Sequence, residues 1–205
     1  MPAPPPFDFP ALEQLWLASI EDALTALQLP AGERLYALAF WLFYAETGSV
    51  IHAPVVGVAG EDAWAQTRAG EARDAGFGSL RWNPADWRYS MLTLPAQAAI
   101  DQAYVQLATA ACGGIDPEAA RRLPDDDARD AAWDAVFERG IASVIAVCHE
   151  LTRRAHARAG VFAALPLTDD FVAVVCDPAW GDDGERWLRA CIDDAQLRAR
   201  LFPDL

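Results

Sequence analysis

The stretch Arg34-Leu35-Tyr36-Ala37-Leu38-Ala39-Phe40-Trp41-Leu42-Phe43-Tyr44-Ala45-Glu46 decides the fold. At the two-residue period of a strand it divides into two apolar faces. Leu35, Ala37, Ala39, Trp41 and Phe43 lie on one, and Tyr36, Leu38, Phe40, Leu42 and Tyr44 on the other. A strand apolar on both faces is covered on both, so this one is expected at the centre of a sheet. The uninterrupted apolar run, Leu35 to Ala45, is 11 residues long. A helix needs about 20 to span a bilayer, so the run does not predict a transmembrane segment.

Upstream, Pro30 and Gly32 separate the strand from an amphipathic helix capped by Asp8 with Pro10 in its first turn. Its buried face is Leu12, Leu15, Trp16, Ala23, Leu24 and Leu27. Downstream, the apolar segment Val50 to Val58 follows Gly48 and Ser49 closely enough for a hairpin, with Pro54 at an edge position or a bulge. A short helix is expected over Glu61 to Gly70, a loop over Gly70 to Gly78, and a single helical turn capped by Asn83 with Pro84 first.

Pro95 to Cys112 has a helix pattern that Gly113 and Gly114 stop. The longest helix follows. Asp125, Asp126 and Asp127 suit its positive end, while Arg153, Arg154 and Arg158 suit its negative end before Gly160. Trp133, Val136, Phe137, Ile141, Val144, Cys148 and Leu151 form its buried stripe. Phe171 to Cys176 is a buried strand, and two short helices near Glu185 to Ile192 and Asp194 to Leu201 close the chain. The fold class is α+β: a mostly antiparallel sheet around the aromatic-rich strand, with helices before, between and after the strands. No linker divides the chain, so residues 1–205 are expected to form one domain, with residues 1–7 a flexible Pro-rich leader.

Hydrophobic residues make up 53% of the chain and there are eight tryptophans, enough to build a core despite the charge. Sixteen arginines, no lysine and 30 acidic residues leave a net charge of −14. That balance disfavours nucleic acid and anionic membranes and favours encounter with a basic protein partner. Met1 to Pro10 lacks the basic and apolar regions of a secretory signal, so the expected location is cytoplasmic. Cys112, Cys148, Cys176 and Cys191 contain no C-x-x-C pair and are expected as buried thiols.

Catalytic and metal motifs are weak. His149 and His156 lie seven residues apart, two helical turns, which separates the rings by roughly 10 Å where a zincin needs one turn. They are expected as boundary histidines. Cys148 points about 100° away from His149 around the helix, which argues against a nucleophile pair. The pairs Asp169-Asp170, Asp182-Asp183 and Asp193-Asp194 follow no calcium-loop pattern, and neither metal nor cofactor is expected.

From Ala159 to Glu185 there are six acidic residues and no arginine, a local charge of −6. Asp169, Asp170, Trp180, Asp182, Asp183 and Glu185 are therefore the candidate partner-binding residues. Trp16, Trp41 and Trp133 fall on apolar stripes, while Trp82, Trp87, Trp180 and Trp187 lie in or beside loops and are candidates for exposed anchors. The alternative is a small-molecule-processing enzyme with a site assembled from His52, His149, Glu150 and Asp170.

Three segments taken together carry a resemblance: Leu35-Tyr36-Ala37-Leu38-Ala39-Phe40, Trp82-Asn83-Pro84-Ala85-Asp86-Trp87, and Thr168-Asp169-Asp170-Phe171-Val172-Ala173-Val174. The chain resembles the bacterial domain-of-unknown-function family 4303 over nearly its whole length. Members look like companions of polymorphic toxin loci. The resemblance thus implies an immunity or antitoxin-like protein that binds and neutralises a cognate toxin, and it implies no catalytic residues.

Overall fold

β1 (Leu35–Trp41) is the middle strand of a three-stranded sheet, flanked by β4 (Val55–Gly60) and β5 (Leu167–Val175). A computed structural model of the chain describes residues 7–42, 46–47, 50–67, 80–120, 122, 127–176 and 181–202. β1 pairs antiparallel with β4 and parallel with β5, and β2 (Glu46–Thr47) with β3 (Val50–Ile51) makes a separate antiparallel ribbon. Two of these three ladders are antiparallel. Every residue from Leu35 to Phe40 is buried, as a strand covered on both faces requires.

Two details of the expected sheet are corrected. The segment Val50 to Val58 is not one hairpin strand: β3 ends at Ile51, Pro54 sits in the connection, and β4 runs from Val55 to Gly60. Proline lacks the N–H a ladder needs and restricts the residue before it, so the chain breaks there. The irregularity lies instead in β1, where the register shifts between Leu35 and Ala37. Strict alternation would give Tyr36 and Phe40 a common face. Across the shift they meet different partners: Phe40 packs edge-on to Trp16, and Tyr36 to Trp82 and Trp87.

The helices follow their sequence signals. α1 (Phe9–Ala26) starts where Asp8 accepts the Ala11 N–H at 3.0 Å. α2 (Glu61–Thr67) follows β4 directly, and Asn83 caps a 3-10 turn over Pro84–Asp86. α3 (Gln97–Ala111) ends before Gly113 and Gly114, both at positive φ. After the single turn α4 (Pro117–Ala120) comes α5 (Asp127–His156), whose 30 residues extend about 45 Å. α1, α3 and α5 pack on one another, and α5 also lies along β5. α6 (Asp182–Ala190) and α7 (Ala195–Leu201) follow β5, with Asp194 capping α7.

The expectation that loop-side tryptophans are exposed anchors is overturned for three of them, because position beside a loop does not decide where a ring points. Trp82 is buried against Tyr36 and Phe202, and Trp187 against Phe137. Trp87 is buried with its Nε1–H donating to Arg81 O at 2.9 Å. Trp180, the expected loop from Gly70 to Gly78 and the leader before Phe7 lie outside the described residues.

Candidate functional site

One acidic feature is assembled by the fold. Asp127, Asp130, Asp134 and Glu138 recur along the first half of α5 at intervals of three, four and four residues, so they share one side of the helix, and all four are exposed. Glu138 pairs with Arg186 of α6 at 2.8 Å, and the same guanidinium reaches Asp183 at 3.1 Å. The stripe therefore runs on into the first turn of α6, which contains Asp182, Asp183 and Glu185. Among the described residues, no arginine forms an ion pair with Asp127, Asp130, Asp134 or Asp182. Its signal is present in the sequence as a helical period of acids, but the end-of-helix preference for carboxylates accounts only for the first turn.

The expected single face from Asp169 to Glu185 does not hold together in space. Asp170 precedes Phe171, whose carbonyl is bonded by His156 at the far end of α5. Asp183 is level with Glu138, 18 residues earlier, about 27 Å along the helix axis. Nor is the stretch uncompensated. Arg200 of α7 lies 4.0 Å from Asp170, Arg186 answers Asp183, and Arg189 lies 3.4 Å from Glu185. Arginines just beyond the acidic run return to it at helical spacing or through the tertiary fold, which a linear charge count does not register. Asp169 and Asp182 remain exposed.

The four residues of the enzymatic alternative have different surroundings. His149 donates from Nε2 to Ala190 O at 2.7 Å, with Asp193 at 3.7 Å. Glu150 faces Arg153 and Arg154 at 2.7 Å, and Arg154 continues to Glu21 of α1. The hydrogen bonds from Arg153 and then Arg154 hold the Glu150 carboxyl down at about 2, far from the pKa a general acid or base needs near neutrality. His52 is exposed beside Pro54, Tyr104 and Phe137, and Asp170 faces Arg200. The two α5 histidines, as expected of boundary residues, each bond a backbone carbonyl.

All four cysteines are buried and none is in a disulfide. Burial, then the neighbouring Cys191, pushes the Cys148 thiol well up, which opposes a standing thiolate of the kind a catalytic nucleophile needs. Among the described residues, no three metal-ligating side chains converge. A groove of about 510 Å³ lies between α1 and α3, lined by Phe7, Leu12, Leu15, Ala103 and Ala110, and none of the described candidate residues lines it.

Sequence reasoning missed Glu33. Its buried carboxylate accepts the Asp62 N–H at 2.8 Å and the Ala63 N–H at 3.1 Å, capping α2 from 29 and 30 residues away. A cap supplied across the fold leaves no local spacing to detect. No family model, no curated protein and no solved structure matches the chain. Among the described residues, no helix is long and apolar enough to cross a membrane.

Proposed function

We propose that this chain is a non-catalytic acidic binding protein, an immunity or antitoxin-like protein that neutralises a cognate basic toxin domain in the cytoplasm by direct contact. The observation that carries the reading is the stripe Asp127, Asp130, Asp134 and Glu138, continued by Asp182 and Asp183. A ridge of exposed carboxylates on a long helix, most of them without an arginine partner among the described residues, concentrates negative potential where a positively charged surface can dock. The net charge of −14 extends that field and speeds encounter. Glu185 lies with Asp182 and Asp183 in the first turn of α6, and Asp169 and Asp170, toward the other end of α5, are a separate candidate contact. The resemblance to a family accompanying polymorphic toxin loci supports the same role.

The test pairs the purified protein with the product of a neighbouring toxin gene. Tight binding that protects cells from the toxin, with an association rate falling steeply between low and high salt, is the expected result. Failure both to bind and to protect ends the proposal.

A further inference from the structure

α5 runs antiparallel beside the outer edge of β5 and meets it at a regular step. His156 bonds Phe171 O at 2.8 Å, and Thr152 accepts the Ala173 N–H at 2.9 Å. Four residues back along the helix, about 6 Å, therefore match two residues forward along the strand, about 6.6 Å. The next step brings Cys148 to Val175. A second thiol is already there: the Val175 N–H donates to Cys191 Sγ at 3.2 Å. The adjoining residues are pinned in the same way, since His149 Nε2–H donates to Ala190 O at 2.7 Å. The register of α5 on β5 therefore sets Cys148 beside Cys191, both level with Val175. Both thiols are free and buried.

We propose that Cys148 and Cys191 form a disulfide when the protein meets a hydroperoxide. The Cys191 thiolate at the end of α6 takes one oxygen from the hydroperoxide, becomes a sulfenic acid and releases the alcohol. The Cys148 thiol then attacks the Cys191 sulfur and passes its proton to the departing hydroxide, so that the S–S bond forms and water leaves. Two thiols and one hydroperoxide give one disulfide, one alcohol and one water. The other two cysteines are placed elsewhere: Cys112 follows the end of α3, and the Cys176 S–H donates to Trp82 O at 2.6 Å. The bond fastens α6, with Asp182, Asp183 and Glu185, covalently to α5.

The experiment treats the purified full-length chain with tert-butyl hydroperoxide, alkylates remaining thiols in denaturant, and maps peptides without reduction. The expected result is a fall of about 2 Da in intact mass, the two thiol hydrogens. It comes with a Cys148–Cys191 linked peptide and with alkylated Cys112 and Cys176. The melting midpoint is expected to rise by ~10 °C and return on reduction. Cys191→Ser keeps an acceptor for the Val175 N–H and is expected to abolish the mass change. Recovery of all four cysteines as alkylated thiols, a link through Cys112 or Cys176, or persistence of the mass change in Cys191→Ser overturns the proposal. No partner enters this measurement, so its outcome is separate from that of the binding test.

Discussion

Thr152 Oγ1 accepts the Ala173 N–H at 2.9 Å, so a helix side chain completes the hydrogen bonding of a sheet edge. His156 and Cys191 do the same at Phe171 O and Val175 N–H. On the opposite edge, the Val58 N–H donates to Tyr89 O at 3.0 Å and the Leu92 N–H to Val56 O at 2.7 Å. A three-stranded sheet with both edges engaged is poorly suited to pairing with strands of other chains. Thr152→Val keeps the shape and removes the acceptor, leaving the Ala173 N–H unpaired at a cost of about 1–3 kcal/mol. Urea denaturation measures this; Thr152→Ser, which keeps the oxygen, is expected to retain most of the stability. Equal stability of the valine variant and the parent would mean that the edge bond contributes nothing.

Glu33 and Gly60 are coupled by close approach. A Cβ added at Gly60 would fall 2.3 Å from Glu33 Oε1, so alanine there displaces the carboxylate that caps α2. Gly60→Ala is expected to cost about 1–3 kcal/mol through overpacking, and Glu33→Ala about 1–2 kcal/mol through the lost cap. The double variant removes the clash along with its cause. Its loss is expected to fall short of the sum by about 1 kcal/mol or more in a thermodynamic cycle. Additive losses would show that the two residues act separately.

Glu150 ties α5 internally and, through Arg154, to Glu21 of α1. Its carboxyl is held at about 2 against an ordinary 4.5. A depressed folded-state value means the contribution is complete above 4.5 and disappears as the pH falls from there to about 2. Glu150→Gln is expected to lose about 1 kcal/mol at pH 7, the scale of a partly exposed ion-pair network, and nothing near pH 2. The difference between parent and variant in urea at pH 7, 4 and 2.5 isolates this group from the other acids. A difference independent of pH would remove the ion pairs as its source.

What was legible in the sequence were features encoded within a turn or a strand. Asp8 before α1, Asn83 before Pro84, the glycines after α3 and the buried stripe of α5 all act over a few residues, and the structure agrees with each except that Trp133 and Val136 of the stripe are only half-buried. The central place of β1 followed from apolar residues on both faces. What the sequence hid depends on distant contacts. Its one-residue shift near Tyr36, the cap from Glu33 and the inward turn of Trp82 arise only when separate segments meet. The candidate site divides in the same way. The acids from Ala159 to Glu185 were visible as a count along the chain, whereas the α5 stripe through Asp130, Asp134 and Glu138 was not read from it, and the pairing of Asp170 with Arg200 required the fold.

Asp134 offers a way to tell a binding surface from a merely solubilising one. It stands four residues from both Asp130 and Glu138, beyond the first turn where a carboxylate gains from the helix dipole. Each like-charge neighbour at that spacing costs about 0.2–0.5 kcal/mol. Asp134→Asn is therefore expected to stabilise the fold by about 0.5 kcal/mol at low salt, with the gain shrinking as sodium chloride screens the pairs. If the stripe meets a basic partner, the same substitution slows association at low salt while leaving dissociation nearly unchanged, because a rim charge acts through steering. A stability gain with an unaltered association rate would remove Asp134 from the contact surface and leave it a role in solubility alone.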